Sequence, residues 1–396
     1  MTTRQRWILL VLVAVVLGLN VVGTHNALTA PFPGHNDFLT PWEAARSYWL
    51  EGVPVYSEQS NVNIQTRIYG RPIAEGEFPN YFAYPFFAVF LMWPYIHVPY
   101  DWAAALWMVT LEVCLVAALV LLLDVYRWKP RPLMLAALIL WTVFWYPAVR
   151  GLLLGQVSHV VYLAQVVAVW GMVRQRDTTA GLALAVSLLK PQMAYLLVPL
   201  VLLWALRERR LRVVGVFAVA TAILLALSFA LQPTWVGDWL GEIRRYTTYT
   251  AVGSPVWVVT QYYLGLGALG EWLFSGALYA LLLVAWIQAA RTPDRWLWTA
   301  MLTLVVTHLV APRTATTHFV VLAAPLLFYV AAWSRQRRGL CAALLLGVTF
   351  IVPWLHFVTT VDGEFEHPAT YLPLPFGVAL LLWTTRRWWW AHQAKT

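Results

Sequence analysis

The stretch WILLVLVAVVLGLNVVGT, residues 7–24, decides the fold class of this chain. It contains no charged residue and is long enough for a helix to cross a bilayer. Similar apolar runs recur along the 396 residues, of which 61% are hydrophobic and 11% charged. The mean hydropathy of +0.65 is too high for a soluble domain, whose surface needs more charge. The sequence therefore predicts an all-α polytopic membrane protein.

The first apolar run is interpreted as a signal anchor, because Arg4 and Arg6 precede it and no small-x-small cleavage site ends it cleanly. This puts the N-terminus in the cytoplasm and residues 25–100 outside. The two apolar runs on either side of Lys190–Pro191 form either two short tilted spans or one broken helix. About twelve crossings result, several shorter than the roughly 20 residues of a perpendicular helix. The further spans are predicted near 101–125, 132–148, 157–173, 179–189, 191–206, 213–231, 270–290, 296–311, 317–333, 339–357 and 371–385.

Basic residues follow the positive-inside pattern. The segments assigned to the cytoplasm hold 19 of the 27 Lys and Arg residues. Because these residues form short clusters and not a continuous stripe, the net charge of +9 does not indicate nucleic-acid binding. Thirteen of the 18 acids fall outside, a bias that insertion does not require. We therefore expect both termini in the cytoplasm and any chemistry on the extracytoplasmic face.

The first outer segment, 25–100, contains a predicted interfacial helix. Thr40 and Glu43 have the spacing of a capping box, and Gly52 is a typical C-terminal residue. Trp42 and Ala45 recur at helical spacing, which gives the helix one apolar face. Such a short helix lies along the membrane surface and does not cross it.

Asp37 precedes this helix, on the predicted turn after the first span. A carboxylate at this place suits a general base that meets a lipid-borne group and an acceptor from the aqueous side. The alternative is a residue that only stabilises its own turn, a frequent role of Asp.

The rest of the first outer segment and two further outer segments follow. Residues 80–95, NYFAYPFFAVFLMWPY, are predicted to be interfacial or re-entrant because Pro85 and Pro94 interrupt the run. The second substantial outer segment spans 232–269. A third loop, VDGEFEHPATYLP, is interpreted as an ordinary acidic loop and not as a metal site. Its acidic and histidine residues are Asp362, Glu364, Glu366 and His367.

An ordered set of short motifs resembles a known family. The set begins with Asp37 and continues with Ala44, Ala45, Gly52, Pro54, Tyr56, Tyr84-Pro85, Gly155-Gln156-Val157-Ser158, Gly181, Lys190-Pro191-Gln192, Arg207, Arg209, Arg210, Pro312-Arg313 and His318. This series is similar to the GT-C polyprenyl-phosphate-sugar glycosyltransferases, in particular the bacterial mannosyltransferase-like family 87. The family often has Tyr-Pro-Pro and Gly-Gln-x-Asn where this chain has Phe86 and Ser158.

The resemblance implies a GT-C-like bundle, with residues 1–396 forming a single integral membrane glycosyltransferase domain. It also implies inverting transfer of a sugar from a polyprenyl-phosphate donor to a hydroxyl of a glycan or glycolipid. The expected sugar is mannose. Asp37 matches the family's outer catalytic Asp. No nucleotide-binding unit is needed, because the donor arrives through the lipid bilayer.

The remaining candidates are cationic or polar groups on the outer side. For the donor phosphate they are Arg313, His318, Lys190, Arg244 and Arg245, and for substrate His35, Asn36, Tyr84, Gln156, Ser158 and His159. An Arg or Lys at membrane depth either meets an anion or extends its charge to the interface. Gln156, Ser158 and His159 either contact substrate or cap a helix.

Two other functions remain open at this point. A transporter or flippase of a lipid-linked sugar would have ionisable groups along the middles of its spans and paired helix breaks, whereas here these groups gather at the outer rim. A non-catalytic scaffold would give no reason for Asp37. No cofactor is predicted and metal dependence is open, since Arg and Lys alone can stabilise a phosphate leaving group.

Overall fold

The computed structural model describes residues 3–34, 37–250, 253–363 and 366–393. It is 78% helical, and no described residue belongs to a β-strand. The predicted all-α class is therefore confirmed. The helices are α1 (Thr3–Thr24), α2 (Leu39–Glu51), α3 (Glu58–Tyr69), α4 (Ala88–Met92), α5 (Tyr100–Val125), α6 (Pro132–Phe144), α7 (Tyr146–Leu154), α8 (Ser158–Val173), α9 (Asp177–Ser187), α10 (Pro191–Ala194), α11 (Leu197–Arg207), α12 (Leu211–Leu231), α13 (Trp235–Tyr249), α14 (Pro255–Trp257), α15 (Gly267–Arg291), α16 (Trp296–Val310), α17 (Ala323–Arg335), α18 (Gly339–Thr360), α19 (Pro373–Thr384) and α20 (Arg386–Gln393).

Shorter helical turns extend or join these helices. Two are π-helical, and three are 3-10 turns. In chain order they are His25–Thr29, Val258–Tyr263, Pro293–Arg295, Thr316–Leu322 and Pro368–Tyr371.

Six helical segments in the described chain are long and apolar enough to cross a membrane, judged by length and composition. They are Thr3–Thr29, Tyr100–Val125, Leu211–Leu231, Gly267–Arg291, Thr316–Arg335 and Gly339–Thr360. A seventh results if α6 and α7, which are bent by 51° at a short break, form one span. The multi-pass membrane class is thus confirmed. The predicted number of about twelve counted shorter apolar helices such as α8 and α11 as full spans.

The chain packs as two compact units. The first comprises Met1–Val113, Leu152–Gln156 and Leu225–Tyr249. The second comprises Cys114–Gly151, Val157–Leu224 and Thr250–Thr396. The core of the second unit includes α16, all of whose residues are buried, and the segment from Thr316 to Ala332, which is buried throughout.

Helix α2 belongs to the first unit, and its predicted start is wrong. Its N-cap residue is Phe38, which makes no side-chain capping bond. The carbonyl of Phe38 already accepts the N–H of Trp42, so Thr40 lies inside the first turn and not at the cap. Glu43 is buried and instead accepts a hydrogen bond from Arg67 of α3 at 3.0 Å. The predicted end is confirmed, because Gly52 adopts the left-handed conformation there, with φ of 73°.

Two irregular segments agree with the sequence. Helix α4 has only five residues, so the proline-flanked run 80–95 does not contain a span. The break near Lys190 separates α9 from the single turn of α10, and α11 follows. The structure thus contains the interruption near Lys190 that both alternatives for the segment 179–206 require.

Candidate active site

The candidate catalytic carboxylate, Asp37, lies on a turn just before α2 and is half-buried. Its Oδ2 atom accepts a hydrogen bond from Nε2 of Gln156, 119 residues further along the chain. An amide donor fixes the orientation of a carboxylate without the full charge of a guanidinium or ammonium group.

The backbone next to Asp37 is fixed by contacts within the first unit. The N–H of Phe38 donates to the carbonyl of Leu154 over 3.2 Å. The ring of Phe38 stacks on Trp107 of α5, with 5.3 Å between ring centroids. Nε1 of Trp107 in turn donates to the carbonyl of Gly155 over 2.8 Å. Asp37 and the segment that carries Gln156 are therefore attached to the same rigid helix.

Gly155 is the residue that permits this approach. Its φ of +69° lies in the left-handed region that L side chains rarely adopt. A Cβ atom at this position would lie 2.5 Å from Cβ of Phe38, far inside van der Waals contact. The Gly-Gln dipeptide thus has a physical reason: the glycine brings the chain against Phe38, and the next side chain reaches Asp37.

Tyr84 is a second group in the surroundings of Asp37. Its pKa is raised well above the ordinary value, first because protein atoms desolvate the phenolate, and then because Asp37 and Tyr246 oppose its charge. Tyr84 is therefore a neutral hydroxyl within the electrostatic range of the Asp37 carboxylate. Its carbonyl accepts the hydroxyl of Tyr56 over 2.7 Å.

In the second unit, Lys190 lies at the break between α9 and α10 and is 5% exposed. Its Nζ atom is 3.0 Å from Nε2 of His318. The N–H of Ala315 donates to Nδ1 of the same imidazole over 3.3 Å. A neutral imidazole that accepts at Nδ1 carries its proton on Nε2. The Nε2–H of His318 then faces Nζ of Lys190, which is also a donor when it is charged. An anion that accepts a hydrogen bond from both Lys190 and His318 would relieve this unfavourable contact between two donors.

His308, which the sequence does not single out, lies on α16 in the same part of the second unit. Its ring centroid is 6.4 Å from that of His318, and its side chain is fully buried. Nδ1 interacts with the carbonyl of Leu304 over 2.7 Å, whereas Nε2 has no hydrogen-bond partner among the described residues. A single His in an apolar helix gives no sequence signal for this proximity.

Arg313 donates a hydrogen bond from its guanidinium to the carbonyl of Thr250. Its backbone is left-handed, with φ of 56°, and it does not directly follow a helix end. A non-glycine residue held in this conformation is uncommon and is found preferentially at functional sites. Whether Arg313 binds an anion or extends its charge to the interface thus stays open, as in the sequence.

The paired arginines of α13 differ from each other. Arg245 contacts Glu242 at 3.1 Å and the hydroxyl of Tyr81 at 3.0 Å, and its guanidinium lies 4.1 Å above the Tyr81 ring. Arg244 is exposed. The Arg245 side chain thus already has partners within the first unit, which favours a structural role.

The other predicted contacts are placed as follows. Ser158 and His159 are fully buried at the start of α8, but the N-cap residue is Val157 and no side chain caps the helix. His159 contacts the carbonyl of Ala148 at 3.1 Å. The predictions for His35 and Asn36 fall outside the described residues.

Glu366 of the third outer loop has several partners that the sequence does not indicate. Its half-buried carboxylate accepts hydrogen bonds from Tyr146 at 2.5 Å, Arg150 at 3.0 Å and Thr316 at 2.7 Å. These partners lie far away in the sequence, so their convergence is a property of the folded second unit. Glu364 of the same loop lies outside the described residues.

The fold and these groups define a multi-pass membrane protein with polar and cationic side chains beside its membrane-spanning helices. The chain belongs to glycosyltransferase family 87, whose family model matches residues 82–312, more than half of its length. Tyr84, Gln156 and Lys190 lie inside the matched range, whereas Asp37, Arg313 and His318 lie outside it. Searches of curated proteins and of solved structures give no match.

Proposed function

We propose that the protein transfers a sugar from a polyprenyl-phosphate donor to an acceptor hydroxyl on the extracytoplasmic face. The sugar that we propose is mannose. The proposal combines membership of the glycosyltransferase family with one observation, the hydrogen bond that holds Asp37 to Gln156. The positive-inside distribution of Lys and Arg supports the outward orientation of Asp37.

In the proposed reaction, Asp37 is the general base. It accepts the proton of the acceptor hydroxyl while the hydroxyl oxygen attacks the anomeric carbon of the sugar. A glycosidic bond forms, and the bond between the anomeric carbon and the phosphate oxygen breaks. Polyprenyl phosphate leaves with the electron pair. Gln156, first predicted to contact substrate, acts in this proposal on Asp37 by fixing the direction of its carboxylate.

Lys190 and His318 are the first candidates for binding the donor phosphate. They are buried groups 3.0 Å apart that an anion would bridge favourably. Arg313 is the next candidate because its strained backbone holds a guanidinium in a fixed place. Arg244 and Arg245 are weaker candidates, since Arg245 is engaged with Glu242 and Tyr81. Tyr84, with Ser158, His159, His35 and Asn36, remains proposed for substrate contacts.

The test uses purified protein in proteoliposomes that contain polyprenyl-phosphomannose, with a panel of glycan acceptors. We expect free polyprenyl phosphate to be released only when an acceptor is present, in equal amounts with the glycosylated product. The lipid phosphate and the product are quantified separately by mass spectrometry. Movement of the mannosyl lipid to the other leaflet with its glycosyl bond intact would contradict the enzyme and identify a transporter.

A further inference from the structure

The first unit contains a groove that the proposed chemistry does not use. Its volume is about 670 Å³, within the range of small-molecule binding sites. One wall is the end of α2 with the loop that follows, and the other is the turn from α12 to α13. The principal lining side chains are Tyr48, Trp49, Tyr56, Gln232, Thr234 and Asp238.

Hydrogen bonds between the two walls fix their relative positions. The hydroxyl of Tyr48 donates to the carbonyl of Leu231 over 3.0 Å. The backbone N–H of Val55 donates to Oε1 of Gln232 over 3.4 Å. Both contacts join segments that are about 180 residues apart in the sequence but belong to one compact unit. The groove is therefore a preformed feature of this unit, as ligand sites usually are.

Asp238 gives the groove its charge. Oδ2 of this half-buried carboxylate accepts hydrogen bonds from Thr234 over 2.6 Å and from Gln232 over 3.3 Å. Both donors are neutral, so the negative charge of Asp238 remains available to a ligand. The charge of Asp238 also acts on Tyr56. Burial is the main cause that raises the pKa of this tyrosine, and the charges of Asp238 and Glu242 raise it further.

This combination of side chains selects one class of ligand. A carboxylate opposes a phosphate or another anion, and a purely apolar ligand would desolvate Asp238 without replacing its hydrogen bonds. A sugar ring suits both the carboxylate and the aromatic lining of the groove. Its hydroxyl groups donate to the carboxylate, and its C–H face packs on Tyr or Trp. Among the molecules that the proposed reaction brings to the protein, a neutral carbohydrate is therefore the one that fits the groove.

Aromatic rings connect the groove with the surroundings of Asp37. The ring of Tyr56 lies 5.5 Å from that of Phe82, which lies 5.9 Å from that of Tyr84. The hydroxyl of Tyr56 donates to the carbonyl of Tyr84, the residue whose titration responds to the Asp37 carboxylate. Two consecutive aromatic contacts within one unit therefore link the groove to Tyr84, whose pKa responds to the charge of Asp37.

We propose that this groove binds a neutral sugar of the acceptor glycan, at a distance from the hydroxyl that is glycosylated, with Asp238 as its principal hydrogen-bond acceptor. The inference rests on the proposed function, because it assigns the groove to that function's acceptor. It implies that the enzyme recognises acceptors of at least two sugar units more tightly than monosaccharides.

The test measures binding in a protein that does not turn over. Asp37→Asn protein in detergent is titrated with α-linked mannose oligosaccharides of one to four units, and tryptophan fluorescence reports binding. Adding Asp238→Asn should weaken binding of the longer oligosaccharides by about tenfold or more, the loss of one charged hydrogen bond. Binding of mannose itself should change by less than twofold.

The matched control is Asp294→Asn, which neutralises an exposed aspartate on the 3-10 turn before α16. Thr234→Val is a second variant that removes a donor to Asp238 while leaving the charge, and it should weaken the same oligosaccharides less strongly. Equal binding by the Asp238→Asn and Asp294→Asn proteins at every length would overturn the inference. This outcome is independent of whether wild-type protein releases polyprenyl phosphate, which tests the proposed function alone.

Discussion

Asp37→Asn is expected to lower acceptor-dependent release of polyprenyl phosphate by about 10²–10⁴-fold, the usual contribution of a general base. The side chain keeps its size, and the new amide oxygen can still accept the hydrogen bond from Gln156. The variant should therefore insert and melt like wild type. Initial rates at saturating donor and acceptor, together with the melting temperature, measure the two effects separately.

The control for this prediction is Asp294→Asn, the same chemical change at an exposed turn of the second unit. It should leave the rate within twofold of wild type. A wild-type rate in Asp37→Asn protein would remove Asp37 from the mechanism. A normal rate combined with a lower melting temperature would assign the carboxylate to its turn, the alternative that the sequence left open.

Lys190→Met is expected to separate activity from stability. An ammonium buried at 5% exposure is costly to desolvate, and Met replaces it with an apolar side chain of similar length. The melting temperature should therefore stay unchanged or rise. Transfer should fall by about 10²–10³-fold, as after removal of one group that stabilises developing charge. The rate and the Michaelis constant for the donor are measured across donor concentrations.

Lys129→Met provides the matched control, because Lys129 lies exposed on the turn before α6. It should change neither the rate nor the melting temperature. A Lys190→Met protein that unfolds at a lower temperature and retains its rate would show that the contact with His318 is structural. In that case Arg313 would become the first candidate for the donor phosphate.

Local chemistry made the helices of this chain predictable. Apolar runs and glycines are signals within one segment, and the predicted end of α2 at Gly52 is confirmed because a left-handed C-terminal residue is a local requirement. The capping box failed for the opposite reason. The carbonyl of Phe38 accepts the N–H of Trp42, so α2 begins ahead of Thr40, and the N–H of the same Phe38 bonds to Leu154, more than a hundred residues away.

The candidate site was predictable as separate residues but not as pairs. Asp37 and Gln156 were both identified, but the sequence cannot show that an amide and a carboxylate 119 positions apart form one hydrogen bond. The same is true of Lys190 and His318, 128 positions apart. His308 was missed because burial and a nearby imidazole are properties of packing alone.

The central claim is that Asp37 deprotonates the acceptor hydroxyl for a direct displacement at the anomeric carbon. The most direct test is the anomeric configuration of the product, determined by NMR after turnover of β-configured polyprenyl-phosphomannose. A single displacement assisted by a base inverts the centre, so the new linkage should be α. A β-linked product would contradict the account, because a single base-assisted displacement from the opposite face cannot retain the configuration of the anomeric carbon.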